Sequence, residues 1–238
     1  MDFEIKECFF FDAGNTLMFL YPSREHILQE VLADHGVQVT LSQLKVGFML
    51  TDVSIEDYTL MTGEQRQELW RRFTGEVIEG AGLDGGITDQ AARDLAERFA
   101  SHESWAPFED TVPTLESLRD SGCRLGVISN AESNLRNILK GLDLLDYFDI
   151  VVISEEVGVE KPDPGIFQAA LEEVNLPPER CVHTGDLVKL DVRGAQARGM
   201  TGVWLDREKL ACDPGVTKIH SLSELSTSFR LPSEVHGR

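Results

Sequence analysis

Three aspartates at or just beyond the ends of apolar runs are the first places in this 238-residue sequence where chemistry could occur. Asp12 closes FFFD, Asp186 closes HTGD, and Asp191 follows shortly after in LVKLD. Left alone in one small space, three carboxylates repel, and one would take up a proton. A divalent cation removes that conflict. Mg²⁺ favours hard oxygen ligands and usually keeps several waters plus a substrate phosphate. Ser129 and Asn130 end a further apolar run, LGVISN, and offer a hydroxyl and an amide. The helix expected next would add backbone N–H groups suited to an anion. Lys161 lies in GVEKPDPGIF, where Pro162 and Pro164 stiffen the loop that presents it. Its ammonium could balance a carboxylate and a transferring phosphoryl group. His183 lies inside RCVHTG and reads as a core histidine rather than a catalytic one. Asp110, Glu155 and Glu156 read as surface or capping residues.

These residues need a scaffold that brings them together. IKECFFFD (5–12), CRLGVISN (123–130), DIVVIS (149–154), RCVHTGD (180–186) and TGVWLD (201–206) are short, nearly all apolar and strand-like. Between the later ones lie PTLESLRDSG, SNLRNILKGL, PGIFQAALEEV and VRGAQARG, which read as helices. Apolar strands alternating with helices indicate βαβ units and a parallel sheet with both faces covered. Ligands of such sheets bind beyond the carboxyl ends of the strands, where Asp12, Ser129, Asn130 and Asp186 all stand.

From about residue 20 to 105 the pattern is helical instead. REHILQEVLADH meets Gly36 as a C-cap, and Thr40 and Thr88 are placed as N-caps of LSQLKVGFML and DQAARDLAERFA. EQRQELWRRFTGEVIEG carries apolar residues near helical spacing, and the glycine-rich GAGLDGG breaks it. The tail RLPSEVHGR reads as loose.

The chain carries 22 basic and 41 acidic residues, a net charge of −19. Nucleic acids and anionic membranes require a positive field, so both are excluded as partners. The four cysteines, Cys8, Cys123, Cys181 and Cys212, form no C-x-x-C pair. They fit core thiols of a reducing, cytoplasmic compartment better than disulfides or zinc ligands. MDFEIKEC has no apolar signal core, and no run of about 18 apolar residues marks a membrane span.

Taken in order, FFFDAGNT, VISN, EKPDP and HTGDLVKLD resemble the four motifs of the haloacid-dehalogenase-like (HAD) hydrolase superfamily. The resemblance covers residues 1–17 and 106–230. It implies an α/β fold with a Rossmann-like parallel-sheet core, residues 1–17 and 106–238, and an inserted all-helical cap, residues 18–105. It also implies roles. Asp12 is the expected nucleophile, Ser129 the phosphoryl-binding hydroxyl, and Lys161 the cation that orients and balances charge around Asp12. Asn130 joins Ser129 and Lys161 as an expected substrate contact. Mg²⁺ is the implied cofactor. Its expected ligands are Asp12, Asp186, the backbone carbonyl of Gly14, and Asp191 directly or through water. The implied substrate is small, anionic and phosphorylated. Tyr21, Arg24, His26, Arg71 and Arg72 are the candidates for contacting it from the cap, which is expected to move as a lid on linkers near Pro22 and Pro107.

The sequence departs from the superfamily at Gly14, where its phosphatases carry a second Asp that protonates the leaving group and then activates water. Neither glycine nor the amide of Asn15 can do that. General acid–base help is worth about 10²–10⁴-fold, so hydrolysis of ordinary phosphomonoesters is expected to be slow. Acyl phosphates and phosphoanhydrides, whose leaving groups need no proton, suffer least. Two other readings stand beside this one. One is a non-catalytic phosphate-binding protein. The other is a haloacid dehalogenase, which also lacks the second Asp but needs no metal.

Overall fold

A computed structural model describes residues 4–51, 61–84, 88–209 and 215–234, so Cys212 and the last residues of the tail lie outside it. The chain divides into two compact units, one of Met1–Phe19 with Pro107–Arg238 and one of Leu20–Ala106.

In the first unit, strands β1 (Cys8–Phe11), β4 (Arg124–Ser129), β5 (Ile150–Ile153), β6 (Cys181–Gly185), β7 (Thr201–Leu205) and β8 (Thr217–Ile219) form one parallel sheet. Its order is β5-β4-β1-β6-β7-β8. The chain builds outward from β1 to β4 and β5, then returns to the other side of β1 for β6. That reversal opens a crevice at the carboxyl end of β1. Every residue of β1, β5 and β6 is buried, as befits strands covered on both faces. Gly126 lets this packing close, because a Cβ there would stand 2.5 Å from the Phe10 ring. The covering helices are α5 (Thr111–Asp120), α6 (Leu135–Gly141), α7 (Ser154–Val157), α8 (Pro164–Val174), α9 (Gly194–Ala197) and α10 (Leu225–Ser228). Asp163 caps α8 by accepting from Gly165 N, with Pro164 in the first turn, and Asn175 ends it in the left-handed conformation.

The second unit packs α1 (Arg24–Asp34), α2 (Leu41–Leu50), α3 (Gly63–Gly80) and α4 (Thr88–Ala100) around Ile27, Leu28, Leu32, Leu44, Phe73, Val77 and Leu95. Thr40 and Thr62 form capping boxes with Gln43 and Gln65. Gly47 of α2 lies so close to α3 that a Cβ there would meet Val77 O at 2.2 Å. Short strands β2 (Met18–Leu20) and β3 (Trp105–Pro107) form a separate two-stranded sheet.

Three details differ from the sequence reading. Thr88 is the first residue of α4 instead of its cap. VRGAQARG is entered through a π-helical turn, Val188–Arg193, before α9 begins. The tail is docked over its described part: Lys6 N donates to Arg230 O at 2.9 Å, and Leu231 is buried. An amide of the first strand's approach would otherwise lack a partner, and this pairing supplies one.

Candidate active site

Asp12 follows the last residue of β1, and its N–H donates to Thr184 O at 2.9 Å. Two sheet strands therefore fix its backbone. The chain then turns tightly: Leu17 N donates to Ala13 O at 2.9 Å and Asn15 N to Met18 O at 2.7 Å. Asn15 has φ +56°, the left-handed region that Asn tolerates better than most residues.

Three elements converge on Asp12. Ser129, the last residue of β4, donates its hydroxyl to Asp12 Oδ1 at 3.2 Å. Lys161 Nζ donates to Asp12 Oδ1 and to Asp191 Oδ1, both at 2.6 Å. Asp191 reaches the site because Gly185 has no side chain, since a Cβ there would stand 2.1 Å from the Asp191 Cγ. Asp191 Oδ2 accepts from Leu187 N at 3.0 Å, which curls the loop after β6 around the carboxylate. Asp186 begins this loop, its carbonyl held by Trp204 Nε1 at 3.1 Å. Carboxylate oxygens of Asp12, Asp186 and Asp191 lie within 4.8 Å of one another.

The electrostatics follow from three acids around one buried base. Burial opposes the Lys161 charge, but Asp12 and Asp191 beside it hold its pKa above the ordinary lysine value. Burial likewise works against an ionised Asp191, yet Lys161 and His183 keep its carboxyl well below the usual range. Asp186 is pushed up to about 7 by burial and by the charges of Asp12 and Asp191. One cation does not neutralise three carboxylates: burial and the Asp191 charge raise the Asp12 carboxyl as well, against the pull of Lys161, and the surplus is shared by Asp12 and Asp186. The set therefore fits a hard divalent ion: oxygen donors, clustered and short of positive charge.

Other residues serve differently from the sequence reading. His183 is fully buried in the core, edge-on to Phe167 at 5.3 Å, but its Nε2 also lies 3.0 Å from Asp191 Oδ1. Burial lowers its pKa, and because an ionised carboxylate can only accept, Nε2 is the donor in this contact. Its Nδ1 has no hydrogen-bond partner among the described residues. The period-2 pairing of His183 with Gly185 on one face of β6 was the available signal for this contact. Asp110 makes no capping bond to α5. It accepts two bonds from Arg207 at 3.0 Å each, and others from Ser221 Oγ at 2.7 Å and Leu222 N at 2.9 Å. Arg207 also donates to Thr16 O at 2.8 Å and lies over the Phe108 ring at 3.8 Å. It thereby braces the turn that carries Gly14, a role with no sequence signal.

Asn130 turns its amide to the Lys161 backbone: Oδ1 accepts Lys161 N at 2.7 Å and Nδ2 donates to Lys161 O at 2.9 Å. In the helical unit, Tyr21 is 57% exposed, Arg24 lies over the Phe48 ring and His26 Nδ1 is 3.0 Å from Ser23 Oγ. Arg71 and Arg72 pair with Glu68 and Glu76 along α3.

A family model described as haloacid dehalogenase-like hydrolase matches residues 6–199. Haloacid dehalogenase-like hydrolase domain-containing protein 3 of Mus musculus is 34% identical over 195 residues, 79% of this chain and 77% of its own. The glyceraldehyde 3-phosphate phosphatase of Methanopyrus kandleri is 40% identical over 204 residues, 84% of this chain and 83% of its own. Among solved structures, a HAD phosphatase from Thermococcus onnurineus is 26% identical with a TM-score of 0.61, covering 94% of this chain and 97% of that one. A 2-haloacid dehalogenase from Pseudomonas syringae is 28% identical with a TM-score of 0.62, at the same coverage of 94% and 97%.

Proposed function

The chain belongs to the haloacid dehalogenase-like hydrolases, and from that footing we propose that it is a Mg²⁺-dependent phosphatase or phosphotransferase acting on a small phosphorylated metabolite. The observation that carries the reading is the Lys161 ammonium held between Asp12 and Asp191 at 2.6 Å from each. It fixes Asp12 in place and favours its ionised form, against the burial and the Asp191 charge that raise its pKa. The phosphatase relative from Methanopyrus kandleri supports a phosphorylated substrate.

A carboxylate oxygen of Asp12 attacks the phosphorus, the bond to the leaving-group oxygen breaks, and a phosphoaspartate forms. Water then attacks that phosphorus, releasing phosphate and restoring the Asp12 carboxylate. Ser129 Oγ and Lys161 Nζ donate to the phosphoryl oxygens and offset their charge. Mg²⁺, when bound, would be held by Asp12, Asp186 and the Gly14 carbonyl, and would neutralise charge on the phosphoryl group. Asp191 is already engaged by Lys161, His183 and Leu187 N, which favours its acting on the ion through water. Gly14 supplies no proton, so unless another residue does, turnover is slow on poor leaving groups and favours substrates such as acyl phosphates, whose leaving groups depart as stable anions.

Gly14 also favours a second reading, a phosphate-binding protein without useful turnover. Dehalogenation is favoured less, because Asp186 and Asp191 retain an oxygen cluster that chemistry does not need. No described helix is long and apolar enough to cross a membrane. A cytoplasmic setting is part of the proposal, supported by the free, buried thiols of Cys8, Cys123 and Cys181.

The test is a panel of acyl, aryl and alkyl phosphates and 2-haloacids, each with and without Mg²⁺. Mg²⁺-dependent phosphate release that vanishes in Asp12→Asn is the expected result. Halide release without metal, or phosphate release by Asp12→Asn, overturns the reading.

A further inference from the structure

Lys161 has a long, flexible side chain, yet its Nζ lies 2.6 Å from oxygens of both Asp12 and Asp191, and the residue is 5% exposed. Such placement requires the Lys161 backbone to be fixed, because each loose rotor and each shift of the Cα spreads the ammonium over several positions. Asn130 makes the two bonds that fix it: the amide oxygen takes the Lys161 N–H and the amide nitrogen gives to the Lys161 carbonyl. The pair imitates a rung of β-ladder where neither loop belongs to the sheet. Beside it, Ala131 N donates to Ser154 Oγ at 3.0 Å, and that hydroxyl lies 3.3 Å from Ala131 O. Ser133 N and Oγ both donate to Glu155 Oε2 at 2.8 Å. The loop after β4 is thus latched to the segment after β5 at three successive points, and Asn130 is the point that grips Lys161.

We infer that Asn130 is a positioning residue for Lys161, not a substrate ligand. The amide carries its acceptor and its donor on separate atoms, so one side chain meets both the N–H and the C=O of Lys161. A carboxylate at this position could accept the Lys161 N–H but not donate to the Lys161 carbonyl, which it would face with like partial charge. Substrate binding by the same amide would have to displace one of these bonds. The inference rests on the proposed roles of Asp12 and Lys161.

The experiment uses the full chain as wild type, Asn130→Ala, Asn130→Asp, Lys161→Met and the Asn130→Ala/Lys161→Met double variant. With Mg²⁺ and p-nitrophenyl phosphate, Asn130→Ala should lower kcat by up to about 10²-fold, the scale of a 1 Å misplacement, while KM changes little. In the Lys161→Met background the same change should cost almost nothing in kcat, because the ammonium it positions is gone. Its cost in Tm should persist in both backgrounds, since the backbone bonds are lost either way. A raised KM at unchanged kcat, or an equal loss of kcat in both backgrounds, overturns the inference. A second readout needs no turnover. Amine labelling of Lys161, followed by mass spectrometry, should accelerate several-fold in Asn130→Ala and Asn130→Asp at temperatures where both are folded. Unchanged labelling overturns the inference even if the wild type proves inactive. An inactive wild type with accelerated labelling overturns the phosphatase reading and leaves Asn130 as the anchor of Lys161.

Discussion

A Cβ built on Gly14 meets no atom within 4 Å, and the residue does not occupy the left-handed region of backbone space. The backbone at this position therefore has room for the Cβ of a side chain and needs no glycine for its conformation. Gly14→Asp should restore up to about 10²-fold in rate on alkyl phosphates, within the range that a positioned acid supplies. It should scarcely change the rate on acyl phosphates, whose leaving groups need no proton. Steady-state rates across a series of leaving groups, wild type against variant, check this. Brisk hydrolysis of alkyl phosphates by the wild type would mean that another residue carries the proton.

The Asp110–Arg207 pair joins elements distant in sequence: the turn at Thr16, the start of α5, the loop beyond β7 and the backbone at Leu222. Burial works against the Asp110 charge, but Arg207, Ser221 and the Leu222 N–H together hold its carboxyl below the usual range. A carboxyl whose folded pKa is depressed adds stability above its unfolded value, about 4, and that stability is lost as pH falls through the folded value. Asp110→Asn should therefore destabilise the fold at pH 7 by about 1–3 kcal/mol, as expected for breaking a partly buried, charge-assisted set of bonds. The gap from wild type should narrow as pH falls from about 4, where the unfolded chain takes up the Asp110 proton first, down through the lower folded value. Urea unfolding of both proteins at several pH values measures it, and a gap that stays constant with pH would remove Asp110 as its cause.

Across the whole molecule the net charge is −19, and the candidate site concentrates that imbalance, with three clustered carboxylates facing one lysine. Asp186, raised to about 7, binds its proton more tightly folded than unfolded. Its ionised form therefore costs stability increasingly as pH rises from about 4 to 7, and fully above that. Metal-free Asp186→Asn should melt above wild type at pH 8, with the difference shrinking toward pH 4. Adding Mg²⁺ at constant ionic strength should reverse the order, raising the wild-type Tm by ligand linkage and the variant's far less. Constant ionic strength matters because screening alone relieves self-repulsion in so acidic a protein. Equal Mg²⁺ responses would show that these carboxylates do not form the ion's site.

Asp12, Ser129 and Asp186 could be picked out from the chain because strand ends in a parallel sheet share one edge and local patterning places those ends, and Lys161 and Asp191 stand on the segments that follow β5 and β6 at that edge. The parallel α/β architecture was legible for the same reason: apolar runs of strand length alternate with helical periods. Other features arose only where segments far apart in sequence meet. His183 looked like a core residue and is one, but its contact with Asp191 depends on Gly185 leaving room for a side chain that returns from the π-helical turn. The Asn130 amide could have faced an anion until the β5 loop brought the Lys161 backbone against it. Asp110 and Arg207 are 97 residues apart, and no periodicity links them. β8 and the docked tail are short and weakly apolar, so edge pairing with β7 and the Lys6–Arg230 bond define them rather than propensity. Residue types and local periods determine which groups can react and on which edge they stand. Long-range packing determines which of those groups are already occupied by one another.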